Sequence, residues 1–125
     1  MGPMMSKTIL TVDDSKSIRE AVRFALEPLG YEIVEAEDGL DGIAQLEKEK
    51  VDLVITDLNM PNLDGLEFIE AVRQRDEFAG LPLVMLTTEG QAEKMRRGKK
   101  AGASGWIVKP FNELQLELTV KKFVG

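Results

Sequence analysis

Short apolar runs alternate along the chain with stretches whose apolar residues recur at three- and four-residue spacing. The runs at 9–12, 31–36, 51–56, 81–86 and Gly105–Val108 predict strands. The run at 51–56 is nearly continuous in apolar residues, as a strand covered on both faces should be. Between the runs lie helical patterns. Residues 15–29 place Ile18, Val22, Ala25, Leu26 and Leu29 on one face, with Ser17 and Glu20 at capping-box spacing and Gly30 suited to the helix end. Residues 39–49 carry Leu40, Ile43, Ala44 and Leu46, and residues 66–73 carry Leu66, Ile69, Ala71 and Val72. Two further helices are predicted over 91–101 and 112–123. Asp64-Gly65 is a common hairpin dipeptide, but its flanks have helical rather than alternating period.

Five β-α units in succession imply an α/β fold, with a parallel sheet, right-handed crossovers and helices on both faces. In such doubly wound sheets the ligand sits outside the carboxyl ends of the strands, near the reversal of strand order. At four of the five predicted ends the apolar run meets a chemically useful residue. The first reaches Asp13-Asp14, the third Asp57, the fourth Thr87-Thr88 and the fifth Lys109-Pro110. Only the second contributes none. A strand order of 2-1-3-4-5 makes the four contributors neighbours.

Composition narrows the chemistry. The 125 residues suit one domain, and 43% apolar with 30% charged residues is ordinary for a globular protein. Cysteine and histidine are both absent. That excludes thiolate nucleophiles, disulfides, imidazole metal ligands and a histidine base. Carboxylates, hydroxyls, lysine or a bound metal must carry any catalysis. A formal charge of −6 argues against nucleic acid as the main partner. No membrane span or signal peptide is visible, so the cytoplasm is the expected compartment. Residues 1–5, opening Met1-Gly2-Pro3-Met4, read as a tag remnant, and 6–125 as the domain.

Three carboxylates converging on one rim repel one another, and holding them ionised calls for a divalent cation. An oxygen-only ligand set favours a magnesium- or calcium-type ion. Few protein ligands and several waters suit Mg²⁺, which keeps places open for phosphate oxygens. Asp13 and Asp14 alone would pass as a helix N-cap pair. Asp57 leads into Leu58-Asn59-Met60-Pro61 rather than directly into a helix. Lys109 supplies a fixed positive charge, the bond to Pro110 is a candidate cis peptide, and Thr87 offers a hydroxyl to a phosphoryl oxygen.

The strings Leu10-Thr11-Val12-Asp13-Asp14-Ser15 and Asp57-Leu58-Asn59-Met60-Pro61-Asn62-Leu63-Asp64-Gly65, followed by Thr87, Gly102-Ala103-Ser104-Gly105 and Lys109-Pro110-Phe111, resemble the receiver domain of two-component response regulators. The resemblance runs from about Lys7 onward and is strongest to CheY-type single-domain chemotaxis regulators. It implies the 2-1-3-4-5 order, which belongs to CheY-type folds and is inherited rather than independently deduced. It further implies that Asp57 accepts the phosphoryl group, that Asp14 binds Mg²⁺ directly and Asp13 mainly through water, and that the Asn59 carbonyl is a further ligand. Lys109 and Thr87 would stabilise the transferring group, Thr87 and Trp106 would form a switch, and Asn59 and Glu89 would tune hydrolysis. Trp106 stands where chemotaxis regulators often carry tyrosine, and Thr88 where a smaller residue is common.

The implied partners are a sensor histidine kinase or phosphotransfer domain and an output protein such as a flagellar motor component. Lys94, Arg96, Arg97, Lys99 and Lys100, against the single acid Glu93, form a basic run suited to steering an acidic partner. The expected face combines that helix with Trp106 on the last strand and the last helix. No output domain is expected within the chain, so regulation would work through binding, by a monomer or a phosphorylation-dependent dimer. The alternative is a phosphorelay intermediate or phosphate sink without an output partner. A haloacid-dehalogenase-type hydrolase would need an aspartate two residues after the nucleophile, where Asn59 stands.

Overall fold

The computed structural model describes residues 6–88 and 92–124. Its strands are β1 (Thr8–Val12), β2 (Glu32–Ala36), β3 (Leu53–Asp57), β4 (Leu83–Thr87) and β5 (Gly105–Val108). They alternate with α1 (Lys16–Leu26), α2 (Gly39–Lys48), α3 (Gly65–Arg73), α4 (Ala92–Ala101) and α5 (Glu113–Val124). All strand pairings are parallel, in the order β2-β1-β3-β4-β5 that was expected. The proposed tag remnant over 1–5 lies outside the described residues. Among the described residues no helix is long and apolar enough to cross a membrane.

Because side chains alternate across a strand, β1 to β4 each supply two cores at once, while β5 buries only Ile107. Leu10, Val12, Val54, Leu83 and Met85 pack with Leu46 of α2 and Leu66, Phe68, Ile69 and Val72 of α3. Ile9, Leu53, Ile55, Val84, Leu86 and Ile107 pack on the other side with Val22, Ala25 and Leu26 of α1 and Leu116 and Val120 of α5. Truncating a side chain as buried as Phe68, with 0% exposure, would cost about 3–5 kcal/mol.

The helix starts show where local pattern and backbone part ways. The cap of α1 is Ser15, whose extended backbone (ψ 113°) lets its hydroxyl accept from the Ile18 amide, so the cap lies two residues before the expected Ser17 and takes no part in a Ser17–Glu20 box. A true capping box opens α3 instead. Asp64 accepts from the Glu67 amide at 2.9 Å, and the Asp64 amide donates back to the Glu67 carboxylate at 3.1 Å. Leu29 and Leu40, expected on buried faces, are 45% and 58% exposed. The first lies in the 3-10 turn after α1, and the second stands in the first turn of α2 on the side away from the buried Gly39 and Gly42.

Candidate functional site

Strand register brings the polar ends together. Val12 pairs with Thr56, so the residues that follow, Asp13 and Asp57, leave adjacent strands side by side. Asp57 pairs with Leu86 and Thr87 with Val108, which places Thr87 and Lys109 next along the same rim. The Lys109 amide donates to the Thr87 carbonyl at 2.6 Å, and the Lys109-Pro110 bond is cis.

Carboxylate oxygens of Asp13, Asp14 and Asp57 all lie within 4.8 Å of one another. Asp13 and Asp57 are buried and Asp14 is exposed. The Lys109 ammonium donates to Asp57 Oδ1 at 3.0 Å and stands 3.9 Å from Asp13 Oδ2. Burial pushes the Asp13 carboxyl up to about 6. The Ser15 amide, donating to Oδ1 at 2.8 Å, opposes the shift, the Asp57 charge adds to it, Lys109 opposes it, and Asp14 adds to it.

Asp13 Oδ2 and Thr87 Oγ1 are buried and have no hydrogen-bond partner among the described residues. A buried polar atom without a partner costs about 1–3 kcal/mol, so two at one rim fit a site completed by something else. An oxygen-ligated divalent cation suits the Asp13 atom, and a phosphoryl oxygen suits the Thr87 hydroxyl. Thr11 Oγ1 is likewise unpaired, and nothing in the structure explains it.

Around the rim, the chain is held by features with no local sequence signal. Gly65 must be glycine because a Cβ there would collide with the Asp57 carbonyl oxygen and lie 2.6 Å from Leu58 Cα. Asn62 adopts φ 68°, which asparagine tolerates, and its amide donates to Asp38 at 2.7 Å. Arg19 donates from Nη1 to the Asp13 carbonyl at 2.6 Å and from Nε to Glu35 at 2.9 Å. Burial works against the Glu35 charge, but bonds from Arg23 and Arg19 outweigh it and hold that carboxyl below its usual range.

The remaining expected residues scatter. Asn59 is exposed at the mouth of the rim, where the Lys94 ammonium donates to its side-chain oxygen. Glu89 lies outside the described residues. Trp106 is 41% exposed, with the Lys99 ammonium 5.3 Å from its ring centre and Lys122 similarly placed 5.6 Å from Phe123. The side chains of the basic run meet different neighbours. Lys94 turns to Asn59, Lys99 to Trp106, and Arg96 pairs with Glu93. Arg97 and Lys100 line a groove of about 360 Å³ shared with Leu66 and Glu70 of α3.

The family model for the response regulator receiver domain matches residues 9–121. The chain belongs to that family. Chemotaxis protein CheY-3 of Vibrio cholerae is 37% identical over 115 residues, covering 91% of this chain and 88% of its own. The phosphate regulon transcriptional regulatory protein PhoB of Klebsiella pneumoniae is 38% identical over 117 residues, and this chain spans 51% of its length. The structure of chemotaxis response regulator CheY4 of Vibrio cholerae superposes with a TM-score of 0.90 at 42% identity, covering 96% of this chain and 100% of that one. A receiver domain of this CheY-like kind is consistent with a phospho-accepting switch, and the acidic rim fits Mg²⁺.

Proposed function

We propose that this receiver takes a phosphoryl group onto Asp57 from a phosphohistidine of a sensor kinase or phosphotransfer domain, and that the modified form binds a different partner surface. The observation that carries the reading is Asp57 itself, a buried carboxylate paired with one lysine and flanked by two unpartnered polar atoms. A carboxylate oxygen attacks phosphorus, the phosphorus–nitrogen bond breaks, and its electron pair leaves on the donor imidazole. The product is an aspartyl-phosphate on Asp57. Water attacking that phosphorus later releases inorganic phosphate and restores the carboxylate.

Asp13, Asp14, Asp57 and the Asn59 carbonyl are the residues that would hold Mg²⁺, whose charge, when bound, offsets that of the phosphoryl oxygens. Lys109 lies close enough to Asp57 to neutralise one of those oxygens, and the unpaired Thr87 hydroxyl is free to donate to another. Catalysis is therefore positioning and electrostatics, as a loose phosphoryl-transfer transition state demands. Capture of the Thr87 hydroxyl draws it toward Asp57, and Trp106, paired across from Met85 on the adjoining strand, responds. Similarity to CheY-3 and CheY4 supports a cytoplasmic role in chemotaxis with a motor-type output partner. Incubation with Mg²⁺ and a small acyl phosphate should add one labile phosphoryl mass and change Trp106 fluorescence, with neither in Asp57→Asn. An adduct that survives in the variant would place the acceptor elsewhere.

A further inference from the structure

β2 ends in no residue that reaches the rim, yet it is wired to the rim through one side chain. Arg19 sits in the first turns of α1, its side chain only 15% exposed. Its guanidinium spans two elements. Nε meets Glu35 of β2 at 2.9 Å, and Nη1 meets the main-chain carbonyl of Asp13 at 2.6 Å. The Asp13 amide in turn donates to the Ala36 carbonyl at 3.0 Å, and Asp13 Oδ1 accepts from the Ser15 amide that opens α1. Two bonds thus fix the Asp13 backbone and a third holds Oδ1, which leaves Oδ2 as the one Asp13 oxygen without a hydrogen bond.

We infer that Arg19, anchored on Glu35, is a positioning residue for the Mg²⁺ site, holding Asp13 so that Oδ2 faces Asp14 and Asp57. The inference rests on the metal reading of the rim given above. Arginine is required because only a planar fork reaches carboxylate and carbonyl at once, whereas a lysine ammonium reaches one or the other. Groups that orient metal ligands without touching the metal typically matter about 10- to 100-fold in affinity.

A neighbour supplies the control. Arg23 lies one turn further along α1 and shares the same anchor, meeting Glu35 Oε2 at 2.7 Å, Glu27 and the Ile33 carbonyl, but none of its hydrogen bonds or ion pairs reaches Asp13. If the Arg–Glu cluster only joins α1 to β2, substituting either arginine should have the same consequence. If Arg19 aims Asp13, only its substitution should reach the metal.

The experiment is a calorimetric Mg²⁺ titration of the full chain, with melting temperature measured alongside for Arg19→Lys, Arg23→Lys and Glu35→Gln. Arg19→Lys should weaken Mg²⁺ binding about 10-fold or more. Labelling of Asp57 by an acyl phosphate should then need more Mg²⁺ yet regain the wild-type rate at saturation. Arg23→Lys should lower the melting temperature by a similar amount and leave the Mg²⁺ affinity unchanged. Glu35→Gln, which retains the shape of the anchor, should produce a smaller loss of affinity than Arg19→Lys and covers the case in which that variant folds poorly. Equal Mg²⁺ affinities in the Arg19 and Arg23 variants would overturn the positioning role. A wild-type chain that binds no Mg²⁺ would remove the metal reading itself, and the role with it.

Discussion

The two ends of β1 use the same residue types to opposite effect. At the amino end, the Thr8 amide donates to Asp52 at 2.8 Å and the Thr8 hydroxyl to Glu32 at 3.4 Å. At the carboxyl end, Asp13 Oδ2 and, two strands away, Thr87 Oγ1 have no hydrogen-bond partner among the described residues. The amino end is finished, because its polar groups satisfy one another. The carboxyl end is stable only in part, and its incompleteness marks the place where chemistry occurs. Satisfaction of buried polar groups separates a structural end from a functional one more sharply than residue type does.

The largest test of that contrast is Lys109→Met. Loss of the ammonium beside Asp57 should slow acyl-phosphate labelling about 10²- to 10³-fold. Mg²⁺ should bind more tightly, because the cation it shares the rim with has gone. Weaker Mg²⁺ binding in that variant would contradict the electrostatic account. At the finished end, Asp52→Ala strands the Thr8 amide and should cost about 2 kcal/mol in denaturant unfolding. The same variant should label at the wild-type rate, and a labelling defect there would blur the two ends.

Acid behaviour gives a finer distinction. The Asp13 carboxyl titrates at about 6 in the fold against an ordinary 3.8, so between those values the folded protein holds a proton that the unfolded chain has released. That contribution is fully present below the ordinary value and is lost as pH rises through 6. Metal-free protein should therefore lose about 1 kcal/mol of stability between pH 5 and 7. Saturating Mg²⁺ should abolish the decline, because it binds the ionised form. Glu35 and Asp38, both held low, act in the opposite sense and only at more acid pH. Metal-free stability that climbs from pH 5 to 7 would rule out a proton on Asp13. The smallest effect concerns Thr87→Val, which replaces an unpaired hydroxyl by a methyl of similar shape. Stability should stay within about 1 kcal/mol of wild type or improve, while phosphoryl labelling slows.

Much of the site was legible because each functional side chain closes an apolar run, and parallel register does the rest. Asp13, Asp57, Thr87 and Lys109 stood out as strand ends, and the strand order that makes them neighbours came from the resemblance to CheY-type folds. The cap of α1 was misplaced because Ser15 and Ser17 are chemically identical, and only the extended backbone at Ser15 chooses between them. Arg19 was invisible because its partner Glu35 lies 16 residues away on another element. Which neighbours the basic side chains of α4 meet was equally hidden. Charge spacing along a helix does not say which neighbour each azimuth meets, so Arg97 and Lys100 facing α3 could only be read from packing.

The pairing of Lys99 with Trp106, and of Lys122 with Phe123, also bears on how the protein behaves in a crowded solution. β5 is an edge strand of four residues with Trp106 and Val108 exposed, and α5 adds exposed Leu114 and Leu118. An open edge beside apolar surface invites a second chain to add to the sheet, and lysines at such edges are a common guard against it. Here each ammonium sits over a ring and keeps a charge where an intruding strand would need none. Lysine acetylation, which abolishes that charge, would leave the fold intact and the edge adhesive.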